Sequence, residues 1–328
     1  MRLNVTVIGA GGYVGSMLVP QLLHSGYEVT ALDTFWYGKE TLNVTRAPKP
    51  MLIQGDIRNE RDVSRALVGA DIVIHLACIS NDPSCDLDPE LTKSINLDSF
   101  PMMLKMLDKH RIQRFIFAST SSVYGVKKEA NITEDAKCDP LTDYSKYKLM
   151  CEEMLRAADL PNTCWTILRP ATVCGWSPRM RLDLVMNAMT IHGLINKKIH
   201  VHGGSQLRPN INIRDMTRAY IEVLRAPEHK INKETFNVGD KNLSLSAIAN
   251  QVARTLRNPA IEIFHEPSKD PRSYHINSDK IQREVGFRAR MGFEQAISSI
   301  LLADHKMRNP LTNSIFYNVK HMQKLGVK

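Results

Sequence analysis

The chain has 328 residues, 43% hydrophobic and 23% charged, with a mean hydropathy of −0.25, the balance of a soluble protein of one large domain or two lobes. No apolar run approaches the roughly 18–20 residues that span a bilayer, and "MRLNVTVIGAGG" lacks the apolar core of a signal peptide, so no membrane association is expected. The net charge of +9 favours anionic partners, but it is dispersed, without a dense basic run or an aromatic platform, and nucleic acid is not an expected partner.

In chain order, short continuous apolar runs at 3–9, 28–33, 51–56, 71–77, 114–120 and 164–170 read as strands covered on both faces. Helical patterns at 12–25, 59–68, 90–110 and 143–159 separate most of them. Such alternation predicts an α/β fold, a doubly wound parallel sheet of Rossmann type. After Pro170 the rhythm loosens into helical stretches at 183–194, 215–226, 244–257 and 292–304, joined by proline-bearing loops. These predict a smaller, partly helical substrate lobe against the carboxyl edge of the sheet. The expected division is 1–170 with 211–240 for the sheet domain, and 171–210 with 241–328 for the lobe. The basic stretch 305–328 reads as a surface helix. Six scattered cysteines without Cys-x-x-Cys, and histidines without His-Glu-x-x-His, predict no metal and a reducing, cytoplasmic setting.

The first strand runs into "GAGGYVG", with Gly9, Gly12 and Gly15 spaced three apart before a helix. A tight turn, a backbone approach to a pyrophosphate and close helix packing each call for a residue without a side chain, and the helix start offers free N–H groups to phosphate. The second strand ends in Asp33, where an acid holds both hydroxyls of an adenosine ribose. The next basic residue is Lys39, so NAD is favoured over NADP.

Two Tyr-x-x-x-Lys pairs occur, Tyr124 with Lys128 and Tyr144 with Lys148. "SVYGVKK" follows a strand at once and precedes Gly125, which predicts a loop, where this spacing shares no face. Tyr144 follows Thr142, a candidate N-cap, in a run of helical periodicity, and residues four apart on a helix share a face. The Lys148 ammonium would then favour the phenolate and turn a phenol of pKa about 10 into a usable base. Tyr144 is the candidate base. "ASTSS", at the end of the preceding strand, supplies Ser119, Thr120, Ser121 and Ser122 as hydroxyl partners.

With these residues together, the sequence resembles the extended short-chain dehydrogenase/reductases, in their NAD-dependent sugar epimerase/dehydratase branch. The matches are "GAGGYVG", Asp33, "GDIRN", "HLA", "STSSVYG", "DYSKYK", "LRPATVCG" and "INIRD", in the family's order. The resemblance implies Thr120, Tyr144 and Lys148 as the catalytic set, with Lys148 also on the nicotinamide ribose. It implies Tyr13 and Val14 of the glycine turn, Asp56 and Ile57 at the adenine, and Leu76 and Ala77 along the cofactor. It also implies a cytoplasmic homodimer joined through helices 90–110 and 143–159, acting on a nucleotide-diphosphate sugar.

Family members that dehydrate sugars follow the catalytic threonine with an acidic pair; Ser121 and Ser122 stand there instead, which disfavours a dehydratase. The remaining chemistry is NAD-dependent oxidation at a sugar carbon, by family habit C4, in an epimerase, a dehydrogenase or, run backward, a ketosugar reductase. The alternative is a non-catalytic dinucleotide- or RNA-binding relative. Arginine forks suit a diphosphate, and Arg179, Arg181, Arg208 and Arg272 are the candidates. Thr172 replaces the family's usual substrate-facing Asn, and "CISNDPS" brings Asn81 toward the sugar. "SPRMRLDLVMN" resembles a subset acting in surface-glycan pathways.

Overall fold

Runs such as Val5–Ile8 and Phe115–Ala118 bury every side chain, and the two faces of each strand feed two different cores. The structure, a computed structural model, describes residues 2–44, 48–127, 129–268 and 273–327. In chain order the strands are β1 (Asn4–Ile8), β2 (Glu28–Asp33), β3 (Met51–Gln54), β4 (Ile72–His75), β5 (Arg114–Ala118) and β6 (Cys164–Pro170). They continue with β7 (Thr172–Cys174), β8 (Lys198–His202), β9 (Leu207–Asn212), β10 (Glu234–Val238), β11 (Lys241–Ser244) and β12 (Glu262–Glu266). Seven of them form one parallel sheet in the order β10-β6-β5-β4-β1-β2-β3, the expected doubly wound arrangement. The strand β10, which the sequence did not single out, extends the sheet beside β6.

Val5, Val7, Ile72, Ile74 and Ile116 face one side, against the helices Gly15–His24 and Ile213–Arg225. Ile8, Val73, Phe115 and Phe117 face the other, against Glu60–Ala66, Phe100–Lys109 and Asp143–Ala157. Each such side chain contributes about 1.5–3 kcal/mol. A third core, with Met186, Ile191, Ile199, Ile248, Phe293 and Ile297, fills a partly helical layer of Val185–Asn196, Leu245–Leu256 and Phe293–Leu302. The strands β7, β9 and β11 form one small sheet there, and β8 with β12 another.

One helix departs from expectation. The stretch read as 90–110 is instead Pro89–Lys93, a π-helical turn Ser94–Asp98, and Phe100–Lys109. Pro101 is the physical reason, since it has no N–H to donate and its ring crowds the carbonyl four residues back.

The helix Asp143–Ala157 begins as expected. The Thr142 hydroxyl accepts from the Ser145 N–H, and the Ser145 hydroxyl accepts from the Thr142 N–H, a reciprocal cap that contributes about 1 kcal/mol. Two turns after Tyr144, this helix buries Glu152 completely. Arg169, at the end of β6, donates to it through Nη2 at 2.6 Å and Nε at 3.0 Å; the Ser119 hydroxyl, just past β5, donates to Oε1. Removing one partner leaves the other charge buried alone. Glu152→Ala is therefore expected to lower stability by about 3–5 kcal/mol, read as a fall in the urea midpoint at unchanged slope.

Candidate active site

All seven sheet strands run the same way, so their carboxyl ends open on one edge, and the loops leaving them line a cavity of about 390 Å³. Its floor is the glycine turn. Gly9 sits at φ +85°, and a Cβ there would lie 2.5 Å from the Ala77 nitrogen, so the turn can press on the end of β4 only as glycine. Gly12, Tyr13, Val14 and Gly15 also line the cavity. Tyr13 is an anchor as well: its hydroxyl donates to the Gly175 carbonyl and accepts from Asn187 Nδ2 at 3.1 Å.

Asp33 lines the same cavity, accepting from the Gly11 N–H at 2.8 Å and the Phe35 N–H at 2.7 Å. Burial pushes its carboxyl up, against those two amides, the Thr34 hydroxyl and the charge of Arg179. Ile57, Leu76 and Ala77 continue the wall, and Asp56 reaches it too. For Asp56, burial acts upward, but the Arg58 guanidinium, 2.6 Å away, outweighs it and holds the carboxyl below its usual range.

Thr120, Tyr144 and Lys148 line the same cavity. Thr120 follows β5, and its hydroxyl accepts from the Ser122 N–H at 3.1 Å. Lys148 is buried, donates to the Ala118 carbonyl at 2.7 Å, and has its ammonium 5.0 Å from the centre of the Phe117 ring. The expected lowering of the Tyr144 pKa is not met in this structure. Desolvation in the cavity wall drives the phenol well above its ordinary value, the Cys78 and Cys85 thiols add to this, and Thr120 and Arg181 only partly oppose it. Lys148 gives one of its three N–H donors to the strand-end carbonyl.

The rival Tyr124 has a different place. It is fully buried, donates to Asn237 Oδ1 at 2.8 Å and accepts from Arg169 Nη1 at 2.9 Å, away from the cavity lining. Lys128 lies outside the described residues.

Ser121, Ser122, Asn81 and Thr172 all line the cavity. The Ser122 hydroxyl lies 3.3 Å from that of Tyr274, a lining residue the sequence reading missed. Asn81 caps the turn 82–85 through the Ser84 N–H and donates Nδ2 to Asp183 at 3.2 Å.

Of the three candidate arginines among the described residues, Arg179 and Arg181 line the cavity and Arg208 does not. Arg181 lines the cavity but is bound through two nitrogens to Asp183, at 3.0 and 3.1 Å, so its charge is largely answered. Arg179 also lines the cavity, its guanidinium 3.6 Å from the centre of the Tyr37 ring and its backbone N–H 3.3 Å from the Ser16 hydroxyl. Burial lowers it to about 10. Arg208 stands on β9, donates to the Leu207 carbonyl at 3.1 Å, and does not line the cavity. Arg272 lies outside the described residues.

The C-terminal stretch corrects a further expectation. Within its helix Asn318–Lys324, residues Asn318, His321 and Met322 are buried, and Asn318 and Met322 line the cavity beside Trp36, Tyr37 and Ser80. No periodicity signal reaches across the roughly 240 residues between Ser80 and Asn318 to reveal that contact.

A sequence model described as the NAD dependent epimerase/dehydratase family matches residues 5–239. The chain belongs to that family. A Bacillus subtilis protein named an uncharacterized UDP-glucose epimerase is 30% identical over 253 residues, 72% of this chain and 77% of its own. A Lactobacillus helveticus UDP-glucose 4-epimerase is 25% identical over 308 residues, covering 88% and 92%. The crystal structure of a Bacillus cereus UDP-glucuronic acid 4-epimerase, in complex with UDP-glucuronic acid and NAD, superposes with a TM-score of 0.81 at 25% identity, covering 90% and 97%.

NAD is the family's cofactor, and the residues fit it. A Cβ on Gly12 would meet only the Gly9 carbonyl, at 3.2 Å, and would otherwise project into open space beside the helix start. The Asp33 oxygens keep lone pairs beyond their two amide bonds, enough to accept from ribose hydroxyls. The two tyrosines separate cleanly by mutation. Tyr124→Phe is expected to lower stability by about 1–3 kcal/mol, because Asn237 and Arg169 each lose a partner, while NAD affinity, read by fluorescence titration, stays within about twofold.

Proposed function

We propose that this protein is an NAD-dependent nucleotide-sugar 4-epimerase that interconverts C4 diastereomers of a neutral UDP-hexose. The observation that carries the reading is that Thr120, Tyr144 and Lys148 line the same cavity as the glycine turn and Asp33, with Lys148 one helical turn after Tyr144. The relatives named as UDP-glucose 4-epimerases support both the reaction and the nucleotide. A neutral sugar is favoured because its side of the cavity offers hydroxyls and amides, from Ser121, Ser122, Thr172, Asn81 and Tyr274, while Asp183 already answers Arg181. Elimination is disfavoured because serines stand where it needs an acid.

NAD supplies, when bound, a reversible hydride acceptor and a positive charge. The glycine turn and Asp33 would hold its pyrophosphate and adenosine ribose; Lys148 would hold the nicotinamide ribose. Tyr144 takes the proton of the C4 hydroxyl, and Thr120 shares that proton through its own hydroxyl. Because burial keeps the phenol protonated, ionisation depends on nearby positive charge, which Lys148 supplies from a fixed position on the Ala118 carbonyl. The small side chains of Ser121, Ser122 and Thr172 leave room for a ketosugar to present either face.

We place the protein in the cytoplasm; all six cysteines are free thiols, and among the described residues no helix is long and apolar enough to cross a membrane. It would pair with a second copy through the helices Phe100–Lys109 and Asp143–Ala157, whose partly buried or exposed Met102, Tyr147, Met150 and Met154 suit an interface. Tyr144→Phe is expected to lower the conversion of UDP-glucose to UDP-galactose, followed by NMR, by about 10²–10⁴-fold, with NAD affinity little changed. Full activity in that variant would sink the mechanism.

A further inference from the structure

The helix Asn318–Lys324 lies beyond the residues matched by the family, yet it reaches the cavity. Asn318 is 4% exposed. Its Oδ1 accepts from Arg179 Nη2 and from the Tyr37 hydroxyl at 3.3 Å, and its Nδ2 donates to the Ser80 carbonyl at 3.2 Å. Its backbone N–H donates to Asp183 at 3.3 Å. These partners come from three separate stretches, and each stretch is tied to a part of the cofactor wall. Tyr37 lies four residues after Asp33, and Ser80 three after Ala77. Arg179 lies two residues after Ser177, whose hydroxyl donates to the Tyr13 carbonyl at 2.7 Å.

The helix is secured beyond this point. The His321 ring stacks on Tyr37 at 4.9 Å, and its Nε2 is 2.8 Å from the Trp36 carbonyl. Met322 packs with Ile79 and Cys85. Arg179 itself is 3% exposed, lines the cavity, and its Nε has no hydrogen-bond partner among the described residues. A guanidinium so placed, with no carboxylate of the described residues bound to it directly, is suited to an anionic ligand.

We propose that Asn318 is a positioning residue that closes the C-terminal helix across the cavity and orients Arg179, so that bound NAD(H) is retained between turnovers. This rests on the epimerase reading and deepens it. An enzyme that returns the hydride to its own substrate gains from keeping the reduced cofactor, whereas a dehydrogenase must let it go.

The test is the release of NADH from the purified chain, chased with excess NAD and followed by the fluorescence of the bound nucleotide, without any sugar present. Asn318→Ala, with circular dichroism and Tm near those of the intact chain, is expected to release NADH about tenfold faster or more, as loss of several hydrogen bonds implies. A variant ending at Tyr317 should do the same. Release at the intact chain's rate from a folded variant would overturn the proposal. Should neither variant fold, amide exchange across 318–326 of the intact chain decides: slower exchange with NADH supports the clasp, and indifference to it overturns the clasp. Because no sugar is used, a failure to epimerise would strike the functional reading alone, and an intact chain that binds no NADH would overturn both.

Discussion

The ion pair between Glu152 and Arg169 fixes the geometry on which the rest of the site depends. Tyr144, Lys148 and Glu152 stand four residues apart on one helix, so they share a stripe. Glu152 takes hydrogen bonds from Ser119 past the end of β5 and from Arg169 at the end of β6. Ser119 immediately precedes Thr120. The same carboxylate therefore locks the helix of the candidate base against the strand end that carries its hydroxyl partner. Both charges are almost wholly buried, so the pair is poor evidence of net stability but a strict constraint on position. Tyr124, which matched the same spacing as Tyr144, belongs to this network through Arg169 and Asn237.

From that fixed wall the cavity is built outward by three layers of decreasing regularity. The parallel sheet delivers the glycine turn, Asp33, Leu76 and Thr120 to one edge because all its strands end there. The segment 175–183 then folds over the start of the first helix, held by Tyr13 to Gly175 and by Ser177 to Tyr13. Last, the C-terminal helix bridges this segment and the loops after β2 and β4. The electrostatics follow the same order. Arg181 is matched by Asp183, whereas Arg179 rests on an aromatic face and an amide.

What was legible in the sequence follows from how local each signal is. Continuous β-branched runs and the Thr142 cap are read within a few residues, and the six strands and the helix of Tyr144 lie close to where those patterns put them. Asp33 and the glycines are likewise local, and the ordered motifs gave the family. The arginines were harder. Whether a guanidinium is free for a diphosphate depends on its neighbours in space; only Asp183, two residues after Arg181, gave a nearby hint. The break at Pro101 could be read from proline chemistry, but the apolar period runs through it. Tyr37, Tyr274, Asn318 and Met322 belong to loops and a terminal helix whose contacts are long-range. The pKa of Tyr144 shows the same limit: spacing brings Lys148 near, but desolvation by the surrounding residues sets the sign of the shift.

The central claim is that Tyr144 and its partners support oxidation and return of hydride at C4 within one cavity. UDP-glucose carrying deuterium at C4 tests it most directly. The account predicts UDP-galactose that keeps the deuterium at C4 in water, with no net NADH at 340 nm. Protium from solvent at C4, or stoichiometric NADH without the inverted sugar, would contradict it.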